Sequence, residues 1–252
     1  MKIFIKSHLA TLLFVAIFSS VIFPGALPVH AAPVSVGITT AAEMEAFLDG
    51  VIDSQMKENH VPGAVVTVVK DGVVFLSKGY GYADLETRVP VDPERTLFRP
   101  GSVSKLFIWT AVMQLVEQGK LDLNADINHY LDFTIPNTFS EPITLRHVLT
   151  HTSGFEEVNQ DLVALHPEGM LALGEYLAKN LPARVFPPGS VMAYSNYGAS
   201  LTAYIVERVS GLSFDTYVEQ NIFVPLGMDH STFRQPLPES LSTEMASGYN
   251  FS

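Results

Sequence analysis

Two β-branched-rich runs, Ala64 to Lys70 and Val73 to Gly79, meet at Asp71-Gly72. Asp-Gly between apolar runs is a strong β-hairpin signal, because both residues tolerate the positive φ that a tight hairpin turn requires. A hairpin alone is marginal in water and needs partner strands, and no third convincing strand is visible in the chain. Met44, Phe47, Leu48, Val51, Ile52 and Met56 recur at helical spacing. They predict an amphipathic helix from about Ala42 to Asn59, capped by Thr39-Thr40. After the hairpin, Gly79, Gly81 and Pro90 mark irregular chain. Helices are then expected at about 102–118, 144–150, 170–180, 196–210 and 213–222, with Pro187-Pro188-Gly189 and Gly211 among their punctuation. Beyond Phe223 the pattern is that of a loop. Early strands followed by a helical block point to an α/β protein of the α+β type.

Composition narrows the function classes. Of 252 residues, 47% are hydrophobic and 16% charged, which fits a globular domain. The net charge of −11 argues against a nucleic-acid surface and against a polybasic membrane patch. With no cysteine, disulfides, thiol catalysis and Cys-ligated zinc are excluded.

Lys2 and Lys6 precede an apolar stretch from Leu9 to Phe23, and Val29-His30-Ala31 offers small residues for cleavage. This is the pattern of a signal peptide, and the stretch is short of the ~20 residues that a spanning helix needs. The expected organisation is a signal peptide at 1–31, a linker at 32–43 and one domain at 44–252. An exported chain without cysteine fits secretion into a bacterial envelope.

The chemistry centres on Ser102-Val103-Ser104-Lys105, which follows Arg99-Pro100-Gly101. Ser-x-x-Lys alone is weak, since chance predicts about 0.6 such matches in a chain of this composition. A second match, Ser54 to Lys57, sits in the amphipathic helix beside Asp53 and Glu58 and reads as a solvated face. Ser102 differs because it opens a helix, where unpaired N–H groups and the positive dipole end can stabilise an oxyanion. Lys105 is the only charged side chain from Gly101 to Val116. Residues three apart share a helix face, so its ammonium can reach the Ser102 hydroxyl. On this motif alone, Ser102 could equally be an N-cap with Lys105 reaching out to water.

Tyr194-Ser195-Asn196 is the only Tyr-x-Asn in the chain. A tyrosine hydroxyl near an ammonium is pushed toward phenolate and can act as a general base. Asn196, two residues on, lies on the same side of an extended segment and can orient a substrate amide, although it also reads as the N-cap of the next helix. His147 and His151 stand four apart, as in a helical metal site, but no Glu follows His147 and no third ligand is evident. No Gly-x-Ser-x-Gly elbow occurs.

Gly101-Ser102-Val103-Ser104-Lys105, then Leu149 to Phe155 (LTHTSGF), then Pro188-Gly189 leading into Tyr194-Ser195-Asn196-Tyr197-Gly198, resemble the class C β-lactamase and DD-peptidase superfamily of serine hydrolases. The resemblance covers about 44–252. It implies a β-lactamase/transpeptidase-like antiparallel sheet flanked by helices, with a helical insertion between early and late strands. It implies that Ser102 is the acylated nucleophile and that Lys105 and Tyr194 share the acid/base work. Asn196 would hold substrate, and the Ser102 N–H would be one oxyanion donor. No cofactor or metal is implied. The substrate would be a small molecule or peptide: a β-lactam, a cell-wall D-Ala-D-Ala or D-amino-acid peptide, or an ester. The family also carries Lys-Thr-Gly or His-x-Gly on a late strand, and neither occurs in these residues. The expectation is therefore an N-terminal fragment whose C-terminal strands are missing, with exposed sheet edges and low activity. The alternative readings are a non-catalytic homologue that binds peptidoglycan or β-lactam, and a metal-dependent hydrolase at His147 and His151.

Overall fold

The computed structural model describes residues 37–158 and 169–250. The expected signal peptide at 1–31 and residues 32–36 of the expected linker lie outside the described residues.

Helix α1 (Ala41–Glu58) starts at a capping box. The Thr40 hydroxyl accepts from the Glu43 N–H at 3.2 Å, and the Glu43 carboxylate accepts from the Thr40 N–H at 3.0 Å. Two orphan donors of the first turn are thereby satisfied. Strands β1 (Gly63–Lys70), β2 (Val73–Asp84) and β3 (Val89–Pro90) form one antiparallel sheet in that order. At the hairpin Asp71 and Gly72 have φ of 52° and 78°, the paired positive values that the Asp-Gly signal predicted. The third strand, only two residues long and containing Pro90, was not foreseen.

Period-two alternation sends Lys78 and Tyr80 toward α1. There the Lys78 ammonium meets Glu45 and Asp49, both at 2.7 Å, and the Tyr80 hydroxyl donates to Asp49 at 3.0 Å. On the other face Val65 and Val69 stand exposed. The amphipathic pattern of α1 is real, yet none of its residues is fully buried, and Phe47 is 56% exposed. Periodicity fixes which side is apolar; it does not fix what covers that side.

The main core is helical. Helices α2 (Lys105–Glu117), α3 (Leu145–Leu149), α4 (Leu173–Lys179), α5 (Asn196–Ser210) and α6 (Phe214–Val218) surround it. The inner side chains of α5, Leu201, Ile205 and Val206, are wholly buried, as are Val112 and Leu115 of α2. A helix that is apolar nearly all round, as α2 is, is expected to be buried on most sides. Instead Leu106 and Met113 are exposed, so one side of this apolar helix is uncovered among the described residues. The helix expected at 213–222 is composite: α6, then a π-helical stretch at Glu219–Phe223, then α7 (Val224–Leu226). It ends at Gly227 in the left-handed conformation, and a short α8 (Glu239–Ser242) follows.

Residues 244–249 lace across the sheet end. Leu97 donates to the Glu244 carbonyl at 2.8 Å, and Ala246 donates back to Leu97 at 2.9 Å. Asp84 accepts from Ser247 at 2.8 Å, and Glu244 pairs with Arg95 at 2.6 Å. Hydrogen bonds from Thr87, with help from Ser247 and Tyr249, hold the Asp84 carboxyl well below its usual range. The Arg95 bond lowers the Glu244 carboxyl from its ordinary value as well. A carboxylate whose folded pKa is depressed stabilises the fold above its unfolded pKa, and that contribution is lost as pH falls through the folded value. Acidification below the ordinary values of 3.8 and 4.5 is therefore expected to release this strap before the helical core. Hydrogen exchange, corrected for intrinsic rate, should show the Leu97, Ala246 and Ser247 amides losing protection while α5 keeps its own. Simultaneous loss in both places would contradict this.

Candidate active site

Gly101–Ser104 forms a single 3-10 turn that runs directly into α2. Sequence reading places Ser102 in the α-helix itself. The tighter turn has a consequence, because at three residues per turn positions i and i+3 eclipse. The Lys105 Nζ accordingly lies 3.1 Å from the Ser102 Oγ.

A second segment brings Tyr194. Residues 151–156 pair with 183–193 in a ladder of bonds: Glu156 donates to Ala183, Val185 to Gly154, Gly189 to Thr152 and Ala193 to His151, each at 2.8 Å. The ladder delivers the Tyr194 hydroxyl to 2.6 Å from the Ser102 Oγ. The Lys105 Nζ sits 4.8 Å from the centre of the Tyr194 ring. Next in chain, Ser195 is the true N-cap of α5, its buried hydroxyl accepting from Gly198 at 3.0 Å. This corrects the capping role read for Asn196, which is the first helical residue. Its side chain is thereby free to face the site, where its Oδ1 accepts from the Lys105 Nζ at 2.8 Å. The Ser102–Lys105 and Tyr194–Asn196 pairs, far from each other in sequence, thus meet in one hydrogen-bonded group.

Electrostatics fit this grouping. Burial pushes the Tyr194 phenol up, but its interactions with Lys105 and Ser102 outweigh that, and its pKa lies below the ordinary tyrosine value. The serine hydroxyl therefore has an ammonium on one side and a phenol disposed to ionise on the other. Such a hydroxyl can lose its proton as it attacks a carbonyl.

Three neighbours were not assigned to the site from sequence. The His151 ring packs against Tyr194 with centroids 4.5 Å apart and planes tilted by 35°, and it lies 5.9 Å from Trp109 of α2. Its Nδ1 accepts from the Ser195 N–H at 3.3 Å. Burial, reinforced by the Lys105 charge, holds His151 below the usual imidazole range. Trp109 carried a usable signal as the chain's one tryptophan, four residues after Lys105. The Glu157 carboxylate accepts from the Asn196 Nδ2 at 2.7 Å and from its backbone N–H at 3.0 Å. Nothing in its spacing separates Glu156-Glu157 from a solvated acidic pair.

His147 takes another path. Its Nδ1 accepts from the Thr144 N–H at 3.2 Å and completes the cap of α3. The two histidines thus engage different partners, and among the described residues no three His, Cys, Asp or Glu side chains cluster as metal ligands.

Known proteins share this arrangement of sequence and fold. Protein flp of Staphylococcus aureus (strain N315) is 32% identical over 197 residues, covering 75% of this chain and 38% of its own length. EstCE1, a hydrolase with promiscuous acyltransferase activity, superposes with a TM-score of 0.72 at 25% identity, over 84% of this chain and 58% of its own. A class C β-lactamase crystallised with cefoxitin superposes with a TM-score of 0.66 at 27% identity, over 83% and 56%. The chain thus spans well under half of this curated relative and somewhat over half of these two solved neighbours. Its α/β fold is the β-lactamase/transpeptidase-like one, an antiparallel sheet flanked by helices. The Beta-lactamase family profile matches residues 48–250, from within α1 to the strap that closes the sheet end, so the chain belongs to that family of serine hydrolases.

Proposed function

We propose that the protein is an exported serine hydrolase that forms an acyl-enzyme through Ser102 on an amide or ester. One observation carries the reading: the Ser102 Oγ lies within hydrogen-bond reach of both Lys105 and Tyr194. In this mechanism the Oγ attacks the substrate carbonyl carbon while its proton passes to the Tyr194 oxygen, with Lys105 stabilising the phenolate. The tetrahedral adduct collapses, the bond to the leaving nitrogen or oxygen breaks, and the leaving group takes the proton from Tyr194. Water then attacks the acyl ester, gives up its proton through the same pair, and returns Ser102 to its hydroxyl form. Asn196 holds Lys105 in place and has one amide hydrogen left for a substrate carbonyl.

The substrate classes are β-lactams, D-Ala-D-Ala or other D-amino-acid peptides, and small esters. The likeness to a class C β-lactamase and to EstCE1 supports this range without choosing within it. Export rests on Lys2, Lys6, the apolar stretch from Leu9 to Phe23 and the cleavage signal Val29-His30-Ala31. Among the described residues no helix is long and apolar enough to cross a membrane.

Rapid-mixing assays with nitrocefin, a p-nitrophenyl ester and a D-Ala-D-Ala peptide test the reading. At least one should give a product burst stoichiometric with protein, unaffected by chelator. Saturable binding without a burst would support a non-catalytic binder instead, and chelator-sensitive turnover would point to His147 and His151.

A further inference from the structure

The carboxylate of Glu157 is bonded to Asn196 through both oxygens, one to the backbone N–H and one to the side-chain Nδ2. The first bond places a negative charge at the N-terminus of α5, where the helix dipole favours it. That alone would be a structural role. The second does more, because an amide has two ends. With Nδ2 committed to Glu157, the Oδ1 is forced to the opposite side, where it accepts from Lys105 at 2.8 Å. A flipped amide would set its NH2 group against an ammonium and its oxygen against a carboxylate.

We infer that Glu157 is a positioning residue: it locks the Asn196 amide so that its oxygen holds the Lys105 ammonium against Ser102. The inference rests on the acyl-enzyme reading above and deepens it. Glu157, Asn196, Lys105, Ser102 and Tyr194 form one continuous chain of hydrogen bonds, with lengths of 2.7, 2.8, 3.1 and 2.6 Å. In such a chain each bond polarises the next.

The charge balance at Tyr194 is set by few groups. Lys105 and Ser102 favour its ionised form, and Glu157 opposes it. His151 packs against the ring and is held toward its neutral form. Removing the Glu157 charge therefore leaves Lys105 less opposed, and the Tyr194 pKa falls further. A rate that rises as Tyr194 ionises should then rise at lower pH.

The test uses Glu157→Gln, which keeps size and loses charge, and Glu157→Ala, which loses both bonds. Two readouts are taken on the full chain. One is the pH dependence of Ser102 labelling by a fluorophosphonate. The other is the titration of the Tyr194 ring carbon by 13C NMR, assigned with Tyr194→Phe. Glu157→Gln should shift both curves to lower pH. Glu157→Ala should in addition slow labelling about tenfold at its optimum, through the loosened Asn196 and Lys105. A merely structural cap predicts a lower melting temperature with both curves unmoved, and that result would overturn the inference. If the wild type is not labelled at Ser102, the acyl-enzyme reading fails. The NMR titration still decides the Glu157 effect on Tyr194 in that case.

Discussion

Lys105→Ala is expected to slow acylation of Ser102 by about a thousandfold while leaving the fold intact. Three interactions vanish together. The ammonium donates to the Ser102 Oγ at 3.1 Å and to the Asn196 Oδ1 at 2.8 Å, and it faces the Tyr194 ring at 4.8 Å. Without it, Tyr194 loses the positive charge that favours its phenolate, and the serine proton has no ready destination. Stability should change little, because the buried side chains of α2 are Ile108, Ala111, Val112 and Leu115, all beyond Lys105. Lys105→Arg should rescue poorly, since a planar guanidinium cannot take the place of a compact, tetrahedral ammonium between three partners. Time courses of fluorophosphonate labelling, read beside melting curves, check both halves of the expectation. A rate within threefold of wild type would remove Lys105 from the mechanism.

Gly154→Ala is expected to damage fold and activity together. Gly154 has φ of +79°, a conformation in which a Cβ costs roughly 1–2 kcal/mol. The added Cβ would also drive into the backbone carbonyl of Phe186, which cannot swing away as a flexible side chain would. Relief requires the 183–193 segment to separate from 151–156, so the combined cost should reach about 3 kcal/mol or more. That segment carries Tyr194, which would move away from Ser102 as the ladder opens. Urea unfolding and labelling rate should fall in parallel in this variant. Unchanged stability with a normal rate would mean that the ladder does not position Tyr194.

The parts of the site written in local spacing were legible in sequence. Ser102 and Lys105 are three apart on one turn, and Tyr194 and Asn196 flank a helix start. Each pair announces itself through the geometry of its own segment. Glu157 could not be found that way. Its role depends on the 151–157 segment running beside the start of α5, a contact made across 39 residues. His151 occupies a left-handed turn position, and its contact with the Tyr194 ring exists only in three dimensions. The fold shows the same division. The Asp71-Gly72 hairpin and the extent of α5, Asn196–Ser210, match their sequence signals. The exposed faces of α1 and α2 do not, because an apolar stripe predicts burial without naming what does the burying. Residues 219–223 repeat as π rather than α, a difference in hydrogen-bond register that apolar spacing over five residues does not resolve.

Everything proposed for this chain converges on a single covalent bond to Ser102. Incubating the protein with a fluorophosphonate or with benzylpenicillin, followed by intact-mass measurement and peptide mapping, tests for it directly. One adduct per chain is predicted, located on the peptide containing Ser102 and lost in Ser102→Ala. An adduct on another residue, or labelling that persists in Ser102→Ala, would contradict the account.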